Sequence, residues 1–386
     1  MDLELSDEQR LLASSVKAFV DSELMPWEAE SDRAGEVSPE LGRQIAEKAL
    51  ALGFYAANLP ESVGGGGLDN ASLAIMEREL GKVTHALHGY VWRPTELLLA
   101  CEGDQIERYL TPCVRGEKTE CFAVTEPGAG SDILSMSTRA TKKDGDWIIN
   151  GSKHFISSHV LPDFAIVFAV TGEEETNRGL RKRITAFLID RGHQGFDIQR
   201  GPRSVSQRAY PTYVLSFNEC RLGADQVLGS EGQGLELADK WIKMGRVWVG
   251  ANCCGRAERL LDLCAEWAAS RKQFGQAIGR FQGTSFKLAD MVTELQAADL
   301  LVMHAARKAD AGTMVPADAA MAKLYASEML QRVADNAVQI FGGMGLMEEM
   351  PIERLWRDSR LDRIWEGTSE IQRHIISRHV LRQWQG

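Results

Sequence analysis

An α+β architecture, helical at both ends and β in the middle, follows from three features of the chain. Apolar residues recur at helical spacing up to about residue 118 and again from about residue 226. Short β-rich runs bounded by Gly, Asp, Asn and Pro fill the stretch between. No helical pattern separates those runs, so the middle reads as an antiparallel sheet or barrel rather than as alternating β and α units. The expected domains are 1–118, 119–225 and 226–386.

The first zone opens at Ser6, which with Gln9 has the spacing of a capping box, and Leu12, Val16, Phe19 and Val20 then recur on one face. Ser38-Pro39 starts another helix, a capping hydroxyl followed by proline at the first helical position. Gly64-Gly65-Gly66-Gly67 interrupts the helices and reads as a connecting loop, because no lysine-serine or lysine-threonine pair follows to make a phosphate cradle. In the middle zone the strand runs are Trp147–Ile149, Phe164–Val170, Ile184–Ile189 and Tyr213–Phe217. In the last zone Ala257, Leu260, Leu261, Cys264, Trp267 and Ala268 form one stripe, and Leu288, Val292, Leu295, Ala298 and Val302 a second. Leu330, Val333, Ala337 and Ile340 form a third, ending at Gly342-Gly343. Long helices apolar on one side pack as an antiparallel bundle.

With 386 residues, 44% apolar and 25% charged, the chain has the composition of a globular protein with a sizeable core and more than one domain. No apolar run approaches the roughly 18 residues of a membrane span. The net charge of -10, with basic residues dispersed, argues against a nucleic-acid surface. Seven cysteines, an odd number without CxxC spacing, point to buried thiols in a reducing compartment and give no support to a metal site. The acidic start Met1-Asp2-Leu3-Glu4-Leu5 resembles neither a secretory nor a transit segment, so the expected location is cytoplasmic.

Two segments carry chemistry. In Ile364-Trp365-Glu366-Gly367-Thr368-Ser369-Glu370-Ile371-Gln372 a single carboxylate stands between an aromatic and a glycine. Trp365 would strip water from Glu366 and raise its pKa, while Gly367 would let a substrate reach both carboxylate and backbone, as a general base requires. The competing reading is a helix start, with Thr368 or Ser369 as cap and Glu370 in the first turn. Phe122-Ala123-Val124-Thr125-Glu126-Pro127-Gly128-Ala129-Gly130-Ser131-Asp132 breaks a strand into a loop whose N–H groups and hydroxyls suit a planar, polar, heteroaromatic ring. A plain hairpin turn is the alternative. Gly128-x-Gly130 lacks the third glycine and following helix of a dinucleotide fingerprint, which disfavours nicotinamide binding.

In these residues the chain resembles the acyl-CoA dehydrogenase family, flavoproteins that form a trans double bond between the α and β carbons of a CoA thioester. Besides TEPGAGSD and WEGTSEIQ, the likeness includes Asn150-Gly151-Ser152-Lys153-His154-Phe155-Ile156-Ser157, Arg271-Lys272-Gln273-Phe274-Gly275 and Gln339-Ile340-Phe341-Gly342-Gly343-Met344-Gly345, all in family order. Lys243-Met244-Gly245-Arg246 and Phe286–Met291 are similar to short-chain and bacterial members. The resemblance implies an N-terminal helical domain, a middle antiparallel β-domain and a C-terminal four-helix bundle. It also implies Glu366 as the base for the α-proton and FAD N5 as the hydride acceptor. Gly245 stands where some relatives carry the base instead, and glycine cannot serve.

The same resemblance puts Phe122, Val124, Thr125, Gly130 and Ser131 around the flavin, Phe155 and Ser157 on its other side, and Thr368 and Glu370 also on the cofactor. Arg271, Phe274, Gln282, Gln339 and Gly343 match residues that reach the FAD of a neighbouring subunit, which implies a homotetramer or homodimer with an incomplete site in the monomer. Ser131, Lys243, Arg246, Trp365 and Gly367 are the expected substrate contacts. Electrons would pass to an electron-transfer flavoprotein in fatty acid metabolism. An acyl-CoA oxidase, an enoyl-CoA reductase, a nonredox lyase of the same fold and a noncatalytic paralogue are the alternatives.

Three departures from the family pattern stand out, the first two of which bear on the substrate. Trp365 replaces a common tyrosine, which suggests a short, branched or unusual acyl group; Lys243 replaces an acidic residue; and Tyr210-Pro211 stands where small residues are common. Arg93 reads as an interfacial or capping arginine, with the carboxylate of a dicarboxylyl-CoA as its alternative ligand. His154 reads as structural, and His85 and His88 as ordinary helix residues.

Overall fold

The computed structural model describes residues 4–176, 179–382 and 384; the Met1–Leu3 part of the N-terminal reading lies outside them. Helix α1 (Asp7–Phe19) begins where Ser6 and Gln9 exchange hydrogen bonds, Gln9 N to Ser6 Oγ at 3.1 Å and Ser6 N to Gln9 Oε1 at 3.2 Å. Two otherwise orphaned N–H groups are thereby satisfied. Helices α2 (Glu28–Ala34), α3 (Pro39–Ala51, with Ser38 as its cap), α4 (Asn70–Leu80), α5 (His85–His88) and α6 (Thr111–Val114) complete the first zone. The glycine run between α3 and α4 is packed on the preceding segment. Gly66 N and Gly67 N donate to the carbonyls of Ala56 and Leu59 at 3.1 and 2.9 Å, and a Cβ on Gly65 would meet the Leu59 carbonyl oxygen at 2.2 Å.

Strands β1 (Glu120–Ala123), β2 (Arg139–Lys143), β3 (Asp146–Ser157), β4 (Phe164–Thr176), β5 (Gly179–Asp190), β6 (Phe196–Arg200), β7 (Thr212–Leu222) and β8 (Val227–Leu228) form one sheet. Its order is β6-β7-β3-β2-β4-β5-β8, with β1 beside β4. The hairpins β2–β3, β4–β5 and β6–β7 are antiparallel as expected. β1 arrives from the helical zone with no hairpin to reverse it and pairs parallel to β4, as does one residue of β2. The uninterrupted apolar runs in β4 and β5 serve two cores. Phe164, Ile166 and Phe168 join the helices, while Ala165, Val167 and Ala169 fill the sheet's own interior. That is why these strands do not alternate polar with apolar.

The last zone contains α7 (Gly234–Ser270), a hairpin of β9 (Lys272–Gln273) and β10 (Gln276–Ala277), α8 (Gln282–Asp310), α9 (Pro316–Phe341), α10 (Pro351–Ser359) and α11 (Ser369–Arg382). α9 packs against α7, α8 and α11, and α4 joins the bundle from outside by packing on α7 and α8. Of the expected stripes, Leu295, Ala298 and Val302 are buried, whereas Val292 on α8 is 48% exposed. α9 ends at Gly342, whose φ of 62° stops the helix. Among the described residues no helix is long and apolar enough to cross a membrane.

Candidate active site

Glu366 and Gly367 have φ of 52° and 88°, two consecutive left-handed residues that turn the chain sharply between α10 and α11. For a glutamate this conformation costs on the order of 1–2 kcal/mol, so the surroundings must impose it. Lys323 Nζ donates to the Gly367 carbonyl at 2.9 Å, and Gln372 Nε2 reaches the carbonyls of Gly367 and Glu366 at 2.8 and 3.2 Å. Both side chains come from buried positions. Below the turn Asp362 pairs with Arg256 at 2.6 Å and accepts the Trp365 indole N–H at 3.0 Å. Thr368 Oγ1 accepts from Ile371 N at 3.3 Å, and Glu370 lies exposed in the first turn of α11. The cap and the carboxylate turn thus coexist.

The Glu366 carboxylate lies against α7 at Gly245, where a Cβ would stand 3.1 Å from Oε2. Any larger residue at 245 would compete for the space the carboxylate occupies. Burial raises the Glu366 pKa, opposed by the charges of Arg246, Lys323 and Arg93. Arg246 is held below its ordinary value by burial, against the pull of Glu366 and Asp239, and its Nε has no hydrogen-bond partner. Lys243 sits nearby on α7 and pairs with Asp239 one turn back.

Beside this turn, His85 packs edge-on against Trp365 at 5.0 Å, Tyr210 at 4.6 Å and His88 at 4.1 Å. His85 and His88 are therefore not ordinary helix residues: they face inward and wall the Glu366 region. Tyr210 belongs to a loop that ties the three zones together. Gln207 Oε1 accepts from Thr84 Oγ1 and His85 N at 2.8 and 2.9 Å, and Gln207 N donates to Asp358 Oδ1 at 2.6 Å. Burial pushes the Asp358 pKa up to about 7. Arg93 is not a helix cap but lies between α4 and α7. Burying α4 against α7 brings Glu77 inside, and Arg93 supplies its counter-charge, with Nε 2.8 Å from Glu77 Oε1 and the guanidinium 4.6 Å above the Trp248 ring.

The loop after β1 converges on the same region. Thr125 accepts the His154 N–H at 2.9 Å, joining the loop to β3, where Phe155 (φ 55°) stands 63% exposed and Ser157 is half-buried. Ser157 pairs with Thr212, two residues beyond Tyr210. Phe122 packs on Phe168, Val124 is buried, and Gly130 and Ser131 are exposed. Two residues not singled out from the sequence hold the loop. Lys153 Nζ donates to the Val124 carbonyl and to Glu126 Oε1, each at 2.9 Å. Glu126 also accepts from Ser137 N, Ser137 Oγ and Thr138 N. Burial raises the Glu126 pKa, but the bonds from Thr138, Lys153 and Ser137 prevail and hold it at about 2. The available signal was a glutamate and a lysine inside otherwise small or apolar motifs.

Arg271, Phe274, Gln282, Gln339 and Gly343 are all exposed, and Phe274 is 93% exposed at a hairpin turn with φ 50°. The Arg271 guanidinium lies over Trp267, which stacks on Phe341, so this group gathers at the far end of α7. At about 1.5 Å per residue, Gly245 and Arg271 are roughly 39 Å apart along the helix. That span exceeds one extended dinucleotide, so the two ends of α7 do not meet at one site within this chain.

Three family models match the chain in order. They are described as Acyl-CoA dehydrogenase N-terminal domain at residues 6–117, middle domain at 121–220 and C-terminal domain at 232–381. The human mitochondrial short-chain specific acyl-CoA dehydrogenase is 35% identical, covering 99% of this chain and 92% of its own. A caffeyl-CoA reductase-Etf complex subunit of Acetobacterium woodii is 34% identical, covering 98% of this chain and 99% of its own. The solved structure of butyryl-CoA dehydrogenase from Megasphaera elsdenii is similar with a TM-score of 0.89 and 36% identity, covering 99% of this chain and 100% of that one.

Proposed function

Because the chain belongs to the acyl-CoA dehydrogenase family, we propose that it removes hydrogen from the α and β carbons of an acyl-CoA thioester, with Glu366 as the base that takes the α-proton. Members of the family bind FAD, which when bound supplies the acceptor for the β-hydrogen as hydride. The observation that carries the reading is the Glu366 carboxylate, half-buried on a strained turn against Gly245. Desolvation strengthens it as a base, and the charges of Arg246 and Lys323 oppose that rise without cancelling it. The Glu366 backbone N–H is the donor we assign to the thioester oxygen, where negative charge develops as the proton leaves.

The residues present fit a flavin. The backbone of the Thr125–Ser131 loop, pinned by Glu126 and Lys153, faces open space at Gly128 and Gly130, where a Cβ would meet nothing within 4 Å. Phe155 offers an exposed aromatic face beside it. We assign Phe122, Val124, Thr125, Gly130, Ser131, Phe155, Ser157, Thr368 and Glu370 to the flavin of the same chain. Ser131, Lys243, Arg246, Trp365 and Gly367 are assigned to the acyl-CoA. Arg271, Phe274, Gln282, Gln339 and Gly343 are assigned to the flavin of a second subunit, in a tetramer or dimer; their exposure and their distance from Gly245 support this.

An electron-transfer flavoprotein is the proposed electron acceptor, on the strength of the Etf complex to which the Acetobacterium relative belongs. The seven cysteines, all unpaired and buried, support a reducing compartment such as the cytoplasm. The same relative favours a second reading, reduction of an enoyl-CoA in the reverse net direction; oxidation of reduced enzyme by enoyl-CoA faster than its reduction by acyl-CoA would select it.

Anaerobic titration of the FAD-loaded enzyme with acyl-CoAs tests the primary reading. Wild type is expected to lose its flavin absorbance. Glu366→Gln is expected to retain FAD and bind acyl-CoA yet slow bleaching by about 10²–10⁴-fold, the usual worth of a general base. Bleaching at near wild-type rate in that variant would overturn the assignment.

A further inference from the structure

Near Glu366 several polar side chains are buried with hydrogen-bonding atoms left unpartnered. Gly245 touches the Glu366 carboxylate, Trp248 lies one turn further along α7, and Arg93 sits 4.6 Å above its ring. Arg93 Nη1 and Trp248 Nε1 are both buried donors without a hydrogen-bond partner. Beside His85, whose ring meets Trp365, His88 uses Nδ1 at 3.2 Å from the Leu80 carbonyl, which makes that nitrogen the protonated one and leaves Nε2 as an acceptor, also unpartnered. Burial keeps His85 and His88 uncharged, His88 at about 3. Buried donors and acceptors without partners are uncommon in folded proteins and usually have a reason.

Charge decides what kind of partner is missing. Arg93 already has a carboxylate beside it: Glu77 Oε1 lies 2.8 Å from its Nε without making a hydrogen bond, and burial raises the Glu77 pKa against the opposing charge of Arg93. Glu77 is held in turn by Asn252 Nδ2 at 2.7 Å. A carboxylate on the substrate would put a second anion on one guanidinium in a buried setting, with Glu366 close by. A neutral oxygen adds no charge and satisfies the donors, and a hydroxyl can also donate to His88. We propose that the acyl group carries a neutral oxygen function, a hydroxyl or carbonyl, beyond the reacting carbons, and that Arg93 and Trp248 donate hydrogen bonds to it. An apolar chain end packed against them would leave both donors unpaired, a difference of about tenfold or more in affinity.

This inference rests on the proposed acyl-CoA dehydrogenation, and the test keeps the two apart. Short straight-chain acyl-CoAs, their ω-hydroxy and ω-oxo counterparts and the matching ω-carboxy compounds would be compared by flavin bleaching in the wild type and by calorimetric binding to Glu366→Gln. The oxygenated neutral compounds are expected to have at least a tenfold advantage in kcat/KM and in affinity over the plain ones. Trp248→Phe, which keeps the ring and removes the N–H, should bring that ratio toward one, as should Arg93→Met. If Arg93→Met fails to fold, Trp248→Phe alone decides. A preference for the plain or ω-carboxy compounds, or a ratio that Trp248→Phe leaves unchanged, overturns this inference while leaving the dehydrogenase intact. If no acyl-CoA bleaches the flavin, both readings fall.

Discussion

Glu126 and Lys153 show how one buried pair positions a functional loop. Neither touches solvent appreciably, and together with Ser137 and Thr138 they replace the hydrogen bonds that the loop after β1 would otherwise make to water. Removing one partner leaves the other as an uncompensated buried charge, so Glu126→Gln is expected to destabilise the protein by about 3–5 kcal/mol. Denaturant titration should show this, along with loss of FAD. The Glu126 pKa is depressed in the fold to about 2 from an ordinary 4.5, so its contribution is present above that ordinary value and disappears as pH falls toward about 2. A variant as stable as wild type near neutrality would rule out the role. The neighbours of Glu366 in the sequence left a base and a helix cap as alternatives; this supporting pair gave no such signal, because its value lies in contacts between residues 27 positions apart.

The elements around Glu366 act as a clamp whose parts come from distant stretches. α9 sends Lys323 to the Gly367 carbonyl, α7 leaves a gap at Gly245, and α10 presents Asp358 to the loop that carries Gln207 and Tyr210. Burial raises Asp358 from 3.8 to about 7, so the folded state holds a proton that the unfolded chain has already released. The sign follows directly: stability from this group is full below about pH 4 and is lost as pH rises through about 7. Asp358→Asn is therefore expected to flatten the decline of Tm between about pH 5 and 8; an unchanged slope would show that Asp358 is not the titrating group. The helix starts at Ser6 and Ser38 and the stop at Gly342 were readable in the sequence, since caps are local. The parallel pairing of β1 and the exposure of Val292 were not, since each depends on which neighbour arrives.

At the scale of the molecule, α7 carries Gly245 in its first half and Arg271 just past its other end, and the proposed function assigns the two to different sites. The exposed Phe274 on its strained hairpin, with φ 50°, is an apolar side chain with no cover in this chain. Phe274→Ser combined with Arg271→Ala is expected to weaken both self-association and FAD retention, read by sedimentation and by the flavin-to-protein ratio after gel filtration. A monomer that keeps its full complement of FAD would refute the shared site. The order helix, sheet, helix, the loop after β1 and the carboxylate before α11 could all be read from the chain, because periodicity, caps and turn residues act over a few positions. Folding added the partners: Glu77 for Arg93, Asp362 for Trp365, and His85 with Tyr210 as the wall beside Glu366. Burial makes such long-range pairings obligatory, because a charge or polar group removed from water must find its partner wherever the fold brings one, and sequence spacing carries no record of that meeting.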